Sequence, residues 1–312
     1  MEKVLLLGSS GFLGTEVLKF ISEKEYNIDA VDLNTSNIIK NNIHHHKMDI
    51  TTFINMKNHN LSEYNFIIDA ATVLPFKNNK KKLMDRNIFS VQEITKSKFD
   101  ENVFFIYISS SGTYGIPEET PIRPSTNQVP LDLYGDSKLA AEKLLLNNKN
   151  LNNLSIVRPK AILGESRGGI FEIFFKLIKK GIPIPLPNNG NQIMQFVDVV
   201  DVARFVEHIV EKKITGIWPA AAPNPIKLND YLNNLEIKFN KKIKRINIHP
   251  KLFLFLGYIL VNLRLINFTK WHFGGYAYDS YFDDDWTLND FKYEHDSYET
   301  LLRTANFWIN KN

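Results

Sequence analysis

Short apolar runs recur along the first half of the chain, and amphipathic stretches separate most of them. Val4 to Leu7 reads as a strand buried on both faces, followed by a glycine turn and an amphipathic helix through about Glu23. Ile28 to Asp32, Ile43 to Met48, Phe66 to Asp69, Val103 to Ile108 and Ser155 to Arg158 read as five further strands. A helix containing Asn87 and another opening near Tyr134 fall between the later ones. Strands alternating with helices predict an α/β fold, a doubly wound parallel sheet with its site outside the strand C-termini.

The pattern changes after Arg167-Gly168-Gly169. Ile170 to Lys180 is an amphipathic helix, and Gly181 to Pro187 carries proline at every second position, which predicts an extended loop. Gln195 to Asp201 reads as a strand running into a helix that returns the chain to the main fold. The expected division is therefore a first domain over residues 1–168, rejoined from Gln195 to about Gly216, and a mostly separate substrate-binding region over 169–312. Lys241 to Arg245 reads as a solvated basic face, and Tyr276 to Asp285 as a loop or short strand with a solvated acidic run. Leu301 to Trp308 is an amphipathic closing helix.

With 44% hydrophobic and 23% charged residues in 312, the chain can bury a large core. A net charge of +4, spread over 38 basic and 34 acidic residues, lacks the concentrated basic face of a nucleic-acid binder. The absence of cysteine excludes disulfides, thiolate metal sites and cysteine nucleophiles. Met1-Glu2-Lys3 leads into an apolar run too short for a secretory signal, so a cytoplasmic location is expected. Leu252 to Val261, closed off by Arg264, is half the length of about 20 residues that a spanning helix needs. It reads as a buried or surface-lying helix; beside the basic run it offers a weak membrane-surface contact.

Gly8-Ser9-Ser10-Gly11-Phe12-Leu13-Gly14 sits between a strand and a helix, where glycines serve a tight turn, close approach to a diphosphate, and helix packing. Asp32, eighteen positions after Gly14, ends the second strand; a carboxylate there accepts bonds from ribose hydroxyls and repels a 2′-phosphate, favouring NAD over NADP. Asp49 is placed to meet the adenine, and the small Ala70, Ala71 and Thr72 let phosphate and ribose approach. Tyr134 and Lys138 lie four apart at a helix start, on one face, where a cation draws a phenol toward its ionised form. That spacing alone is expected about once by chance in this chain. His44, His45 and His46 alternate across a strand and cannot close on one metal, so no metal site is expected. Asp279 and Asp283 have no acid/base partner in the sequence.

As a set, Gly8, Gly11, Gly14, Asp32, Ala70-Ala71, Asn87, Ser109 to Gly115, Tyr134-x-x-x-Lys138 and Val157-Arg158-Pro159 to Gly164 resemble the extended short-chain dehydrogenase/reductase superfamily, in its NAD-dependent epimerase/dehydratase group. The resemblance implies a Rossmann-type domain with a smaller C-terminal substrate-binding domain, and a homodimer by analogy. It implies Tyr134 as acid/base, Lys138 on the nicotinamide ribose and lowering the tyrosine pKa, and Ser110 on the reacting oxygen, with Ser111 as fallback. The NAD wall it implies also takes in Ser10, Phe12, Leu13, Ile50, Asn87, Ser109, Pro159 and Ile162.

Departures from the family pattern narrow the chemistry. Ser111-Gly112 follows Ser110 where dehydratases carry an acidic pair, so water elimination lacks a catalyst. Ala161 replaces the asparagine that holds a substrate diphosphate, and the arginine and histidine of sugar-nucleotide enzymes are missing near Gln195 to Asp201. The first expectation is an NAD-dependent 4-epimerase or 4-ketoreductase of a nucleotide-linked sugar. The second is a dehydrogenase of a hydrophobic alcohol, such as a sterol or polyprenyl-linked sugar. A non-catalytic dinucleotide-binding regulator is the third, against which the complete serine, tyrosine and lysine set argues.

Overall fold

The computed structural model describes residues 1–73, 80–165, 167, 170–263, 265–266 and 268–310. Arg264, Gly168 and Gly169, noted in the sequence, lie outside the described residues.

The chain runs β1 (Glu2–Leu7), α1 (Phe12–Ile21), β2 (Tyr26–Asp32), β3 (Ile43–Lys47), α2 (Ile50–Met56), β4 (Phe66–Asp69), α3 (Lys80–Lys96), β5 (Phe104–Ile108), α4 (Leu133–Leu146) and β6 (Asn153–Pro159). It continues through β7 (Ala161–Leu163), α5 (Ile170–Lys180), β8 (Ile184–Pro187), β9 (Ile193–Met194), β10 (Phe196–Asp198), α6 (Val199–Lys212), β11 (Gly216–Ala220), β12 (Ile226–Lys227) and α7 (Leu228–Phe239). Last come β13 (Arg245–Ile248), α8 (Pro250–Asn262), α9 (Lys270–Ala277) and α10 (Ser297–Asn310).

Seven parallel strands form the central sheet in the order β11-β6-β5-β4-β1-β2-β3. Successive side chains of a strand point to opposite faces, and β1 shows the consequence. Val4 and Leu6 enter a core with α1 and α6, whereas Leu5 and Leu7 enter one with α2, α3 and α4. Both faces are covered, which is why β1 reads as a continuous apolar run. The strand order reverses between β1 and β4, so the crevice expected of such sheets opens above their C-terminal ends.

A third core joins α5, β8, α7 and α10 beyond the sheet. Here the structure differs from the sequence expectation. Ile184–Pro187 is a strand, paired in parallel with β13 in a sheet of two, and the Ile184 amide donates to the Lys244 carbonyl at 2.8 Å. Proline is tolerated because the strand has only one neighbour. Two of the three histidines are tied into the fold: His46 Nε2 meets Asp29 at 2.7 Å, and His45 Nε2 meets the Ile38 carbonyl at 2.8 Å. Asp283 pairs with Arg123 at 2.7 Å, and Asp279 accepts from the Ile193 amide. Among the described residues no helix is long and apolar enough to cross a membrane.

Candidate active site

The turn after β1 and the exit of β4 meet at the strand-order reversal. Gly8 has φ +80°, and a Cβ there would lie 2.7 Å from Ala71 Cα, so the turn and the Ala70-Ala71 backbone touch. A Cβ on Gly14 would sit 1.9 Å from the Gly8 carbonyl oxygen, which only glycine avoids. Gly11 caps α1 and would meet little more than that same oxygen, at 3.3 Å. The cradle is thus closed below and behind and open at the helix N-terminus, the geometry that a diphosphate requires.

Asp32, at the end of β2, accepts from the Ser10 amide at 3.0 Å and the Asn34 amide at 3.2 Å. Its carboxylate therefore stands over the turn. Asp49 instead caps α2, accepting from the Thr51 amide at 3.0 Å and the Thr51 hydroxyl at 2.6 Å, and is exposed. Asn87 ties three elements together: its amide exchanges bonds with the Val73 backbone at 2.8 and 3.2 Å and donates to Ser137 Oγ at 3.2 Å. Thr72 is exposed beside it.

Beyond β5 the chain makes one tight helical turn, Ser111–Tyr114, capped by Ser110 Oγ, which accepts from the Gly112 amide at 3.0 Å. Ser110 Oγ and Tyr134 Cε1 lie 3.2 and 3.6 Å from the point a Gly112 Cβ would occupy. Tyr134 stands in the first turn of α4, whose cap Asp132 accepts from the Tyr134 and Gly135 amides at 3.2 Å. The other Asp132 oxygen accepts from the Trp271 amide at 3.1 Å, bolting α9 onto the start of α4.

Lys138 is 2% exposed; its ammonium donates to the Ile108 carbonyl at 2.8 Å and lies 4.8 Å above the Tyr107 ring. Burial pulls it down to about 8, against the opposing pull of Asp69 and Glu142. Burial pushes the Tyr134 phenol up, while its hydrogen bond with Ser110 and the Arg167 guanidinium pull it back down. The cation acting on the phenol in this arrangement is Arg167, stacked 4.8 Å over the Phe12 ring of α1. Ser109 is engaged elsewhere, donating to Glu142, which also receives Arg158 Nη2 at 2.6 Å. That buried network fixes β5, β6 and α4 to one another. Pro159 ends β6, and Ile162 pairs with Val197 in a short parallel ladder.

Beside this cluster lies a cavity of about 200 Å³ that the sequence did not reveal. Phe171, Phe174, Met194, Phe253, Phe273 and Tyr276 contribute to its wall. Trp271 also lines it, and its Nε1 lies 3.7 Å from the same Gly112 Cβ point, so Trp271 stands between the cavity and the Ser110 and Tyr134 pair. Lys160 enters from the sheet side, 6% exposed, donating to Ser280 Oγ at 2.6 Å; burial lowers it to about 7. His272 is lowered to about 4 by burial, with Asp132 pulling it up and Arg167 pushing it further down. Asp132, Lys160, Arg167 and Trp271 belong to no motif, and sequence reasoning missed them.

The profile of the NAD dependent epimerase/dehydratase family matches residues 4–218. A Sinorhizobium fredii protein, y4nG, is 28% identical over 65% of this chain, and the match spans about half, 52%, of that relative's length. The N-acetyl-alpha-D-glucosaminyl-diphospho-ditrans,octacis-undecaprenol 4-epimerase of Escherichia coli O157:H7 is 22% identical over 82% of this chain and 78% of its own. In fold, the chain is similar to the UDP-glucuronic acid 4-epimerase of Bacillus cereus in complex with NAD, with TM-score 0.73, 17% identity and 99% of both chains covered. The glycine cradle, the aspartate over it and the family profile agree, and the chain is an NAD-dependent enzyme belonging to the NAD dependent epimerase/dehydratase family.

Proposed function

We propose that the protein is a 4-epimerase or 4-ketoreductase of a diphosphate-linked sugar, with Tyr134 as its acid/base. The observation that carries this is the convergence of Ser110, Tyr134 and Arg167 above the strand-order reversal. Gly8, Gly11 and Gly14 with Ser10, Phe12 and Leu13 would hold the cofactor diphosphate, Asp32 a ribose, and Ala70, Ala71, Thr72, Pro159 and Ile162 the walls around it. Bound NAD supplies the hydride acceptor and donor.

The residues of the chain handle the proton and the geometry. Ser110 Oγ fixes the substrate oxygen against the phenol, which is mainly positioning. Tyr134 Oη takes the hydroxyl proton in the oxidising direction and returns it in the reducing one, so a pKa near working pH serves both. Arg167 draws the phenol toward that range, against its burial. Lys138, whose ammonium donates to the Ile108 carbonyl, anchors α4 to the end of β5, and we assign its amine to the nicotinamide ribose. Asp49, Ile50, Asn87 and Ser109 shape the frame through capping and cross-links. We also place the substrate region at 169–312, on the separate core of α5, α7 and α10.

The sugar carrier has two readings. A nucleotide agrees with the UDP-linked substrate in the name of the Bacillus cereus enzyme, and a hydrophobic carrier with the undecaprenol-linked one in the name of the Escherichia coli relative. The apolar cavity beside Tyr134 favours the second. To test the activity, purified protein with NAD is given sugars on both carriers, and C4 inversion is followed by NMR and cofactor reduction by absorbance. Inversion at C4, or oxidation of the C4 hydroxyl to a ketone with matching reduction of NAD, is expected; neither, with any sugar on either carrier, would overturn the activity.

A further inference from the structure

The cavity beside Tyr134 is built for something other than a nucleobase, which presents several hydrogen-bonding groups and needs partners for them. Most of its polar lining is already engaged. Gln195 donates to the Ala222 carbonyl at 2.9 Å and accepts from the Phe282 amide at 2.8 Å. The Tyr231 and Tyr276 hydroxyls donate to the Leu301 and Pro185 carbonyls at 3.3 and 3.0 Å. His272 Nδ1 is held by the Thr269 amide and hydroxyl. Lys160 differs: no carboxylate among the described residues pairs with it, and Ser280 Oγ is a neutral partner. A buried ammonium without a counter-charge, in an otherwise apolar wall, suits an anionic group followed by an apolar chain.

The helix that contributes Phe253 to this wall has a second, uncovered face. Leu252, Phe255, Leu256, Ile259 and Leu263 follow the spacing of one helical face, and Phe255 and Leu263 are 62% and 63% exposed. Opposite them, Gly257 lets α8 close on α9; a Cβ there would come within 2.2 Å of the Phe273 ring. From Ile237 to Tyr278 the chain carries eight basic and no acidic residues, of which Arg245 pairs with Glu236 at 3.0 Å. Lys251, in the first turn of α8, is exposed beside the apolar face, and Lys244 is exposed in the segment that precedes the helix. An apolar helical face bordered by exposed lysine matches an anionic bilayer surface.

We propose that α8 lies on an anionic lipid surface and that the cavity behind it receives a sugar on an isoprenoid diphosphate, its diphosphate at Lys160 and its chain along the aromatic wall. This rests on the sugar-C4 reading above and names its substrate class.

The test has two arms. Wild type with NAD is sedimented with vesicles of phosphatidylcholine alone and of phosphatidylcholine mixed with phosphatidylglycerol. Preferential pelleting with the anionic vesicles, weakened by salt and lost in Phe255→Glu/Ile259→Glu, is expected; unchanged NAD affinity shows that the variant is folded. No pelleting, equal pelleting of the variant, or a wild-type dimer that the variant dissolves would overturn the surface assignment. In the second arm the same sugar is offered on a short isoprenoid diphosphate and on UDP. At least about tenfold higher kcat/KM on the isoprenoid carrier is expected, a difference of about 1.4 kcal/mol. Equal or better turnover of the UDP sugar would overturn the substrate class while leaving Tyr134 chemistry intact. No turnover of either would overturn the C4 reading, with the vesicle arm still deciding the surface.

Discussion

The two ends of the site follow different construction rules. At the cofactor end, backbone is the working material: Gly8, Gly14 and Ala71 approach so closely that added methyl groups would collide, and these contacts all fall within the first 72 residues. At the substrate end, side chains from α5, α7, α8, α9 and β10 enclose space. The first end presents amides to a charged ligand that all members of such a family share; the second presents aromatic rings and one buried amine. Substrate identity is therefore written in the second end alone.

Substitutions that add or remove one group at each end sharpen this contrast. Gly14→Ala should have the largest effect, because its Cβ would overlap the Gly8 carbonyl: NAD affinity, read by calorimetry, falls by about a hundredfold or more. Retained affinity would show that the turn relaxes. Asp32→Ala should raise affinity for NADP relative to NAD by about tenfold in the same assay, since the repelling carboxylate is gone. A native preference for NADP would remove the basis for its assignment.

Arg167→Leu probes the boundary between the ends. With the guanidinium absent, the phenol of Tyr134 is left to its burial, and the rising limb of the pH profile for oxidation shifts to higher pH. An unmoved limb would assign the tuning to another group. Lys160→Met should act in opposite directions on stability and function. The folded-state value of Lys160, about 7, is below that of an unfolded lysine, so burying the charged amine destabilises the protein fully below about pH 7, and that penalty fades as pH rises toward the usual lysine range. The variant should accordingly melt a few degrees higher, roughly 2–4 °C for each kcal/mol, most clearly at or below neutral pH, while KM for a diphosphate-linked sugar rises. A lower melting temperature with unchanged KM would make Lys160 a structural residue.

The same contrast explains what the sequence made legible. The sheet, the glycine turn, Asp32, Ser110 and Tyr134 are local patterns in fixed order, and each sits where its local pattern put it. Ile184–Pro187 departed from expectation because a two-stranded sheet tolerates proline where a central strand does not. Arg167, Trp271 and Asp132 were not visible because their relation to Tyr134 is made by packing: Asp132 is both the cap of α4 and the acceptor for an amide 139 positions away. A faint signal existed for Lys160, a charge inside an apolar run beside Ala161, where the family pattern was already broken. The apolar run from Leu252 was visible as a helix, but which of its faces is covered depends on Gly257 meeting Phe273, a tertiary fact.

The central claim is that Tyr134 moves the proton at the reacting oxygen, and Tyr134→Phe tests it by removing one oxygen atom. NAD affinity and kcat are measured side by side on the variant with the best sugar substrate. Affinity within about twofold of wild type, with kcat lowered by about 10² to 10⁴, is the predicted result; undiminished kcat with the same affinity would contradict the account.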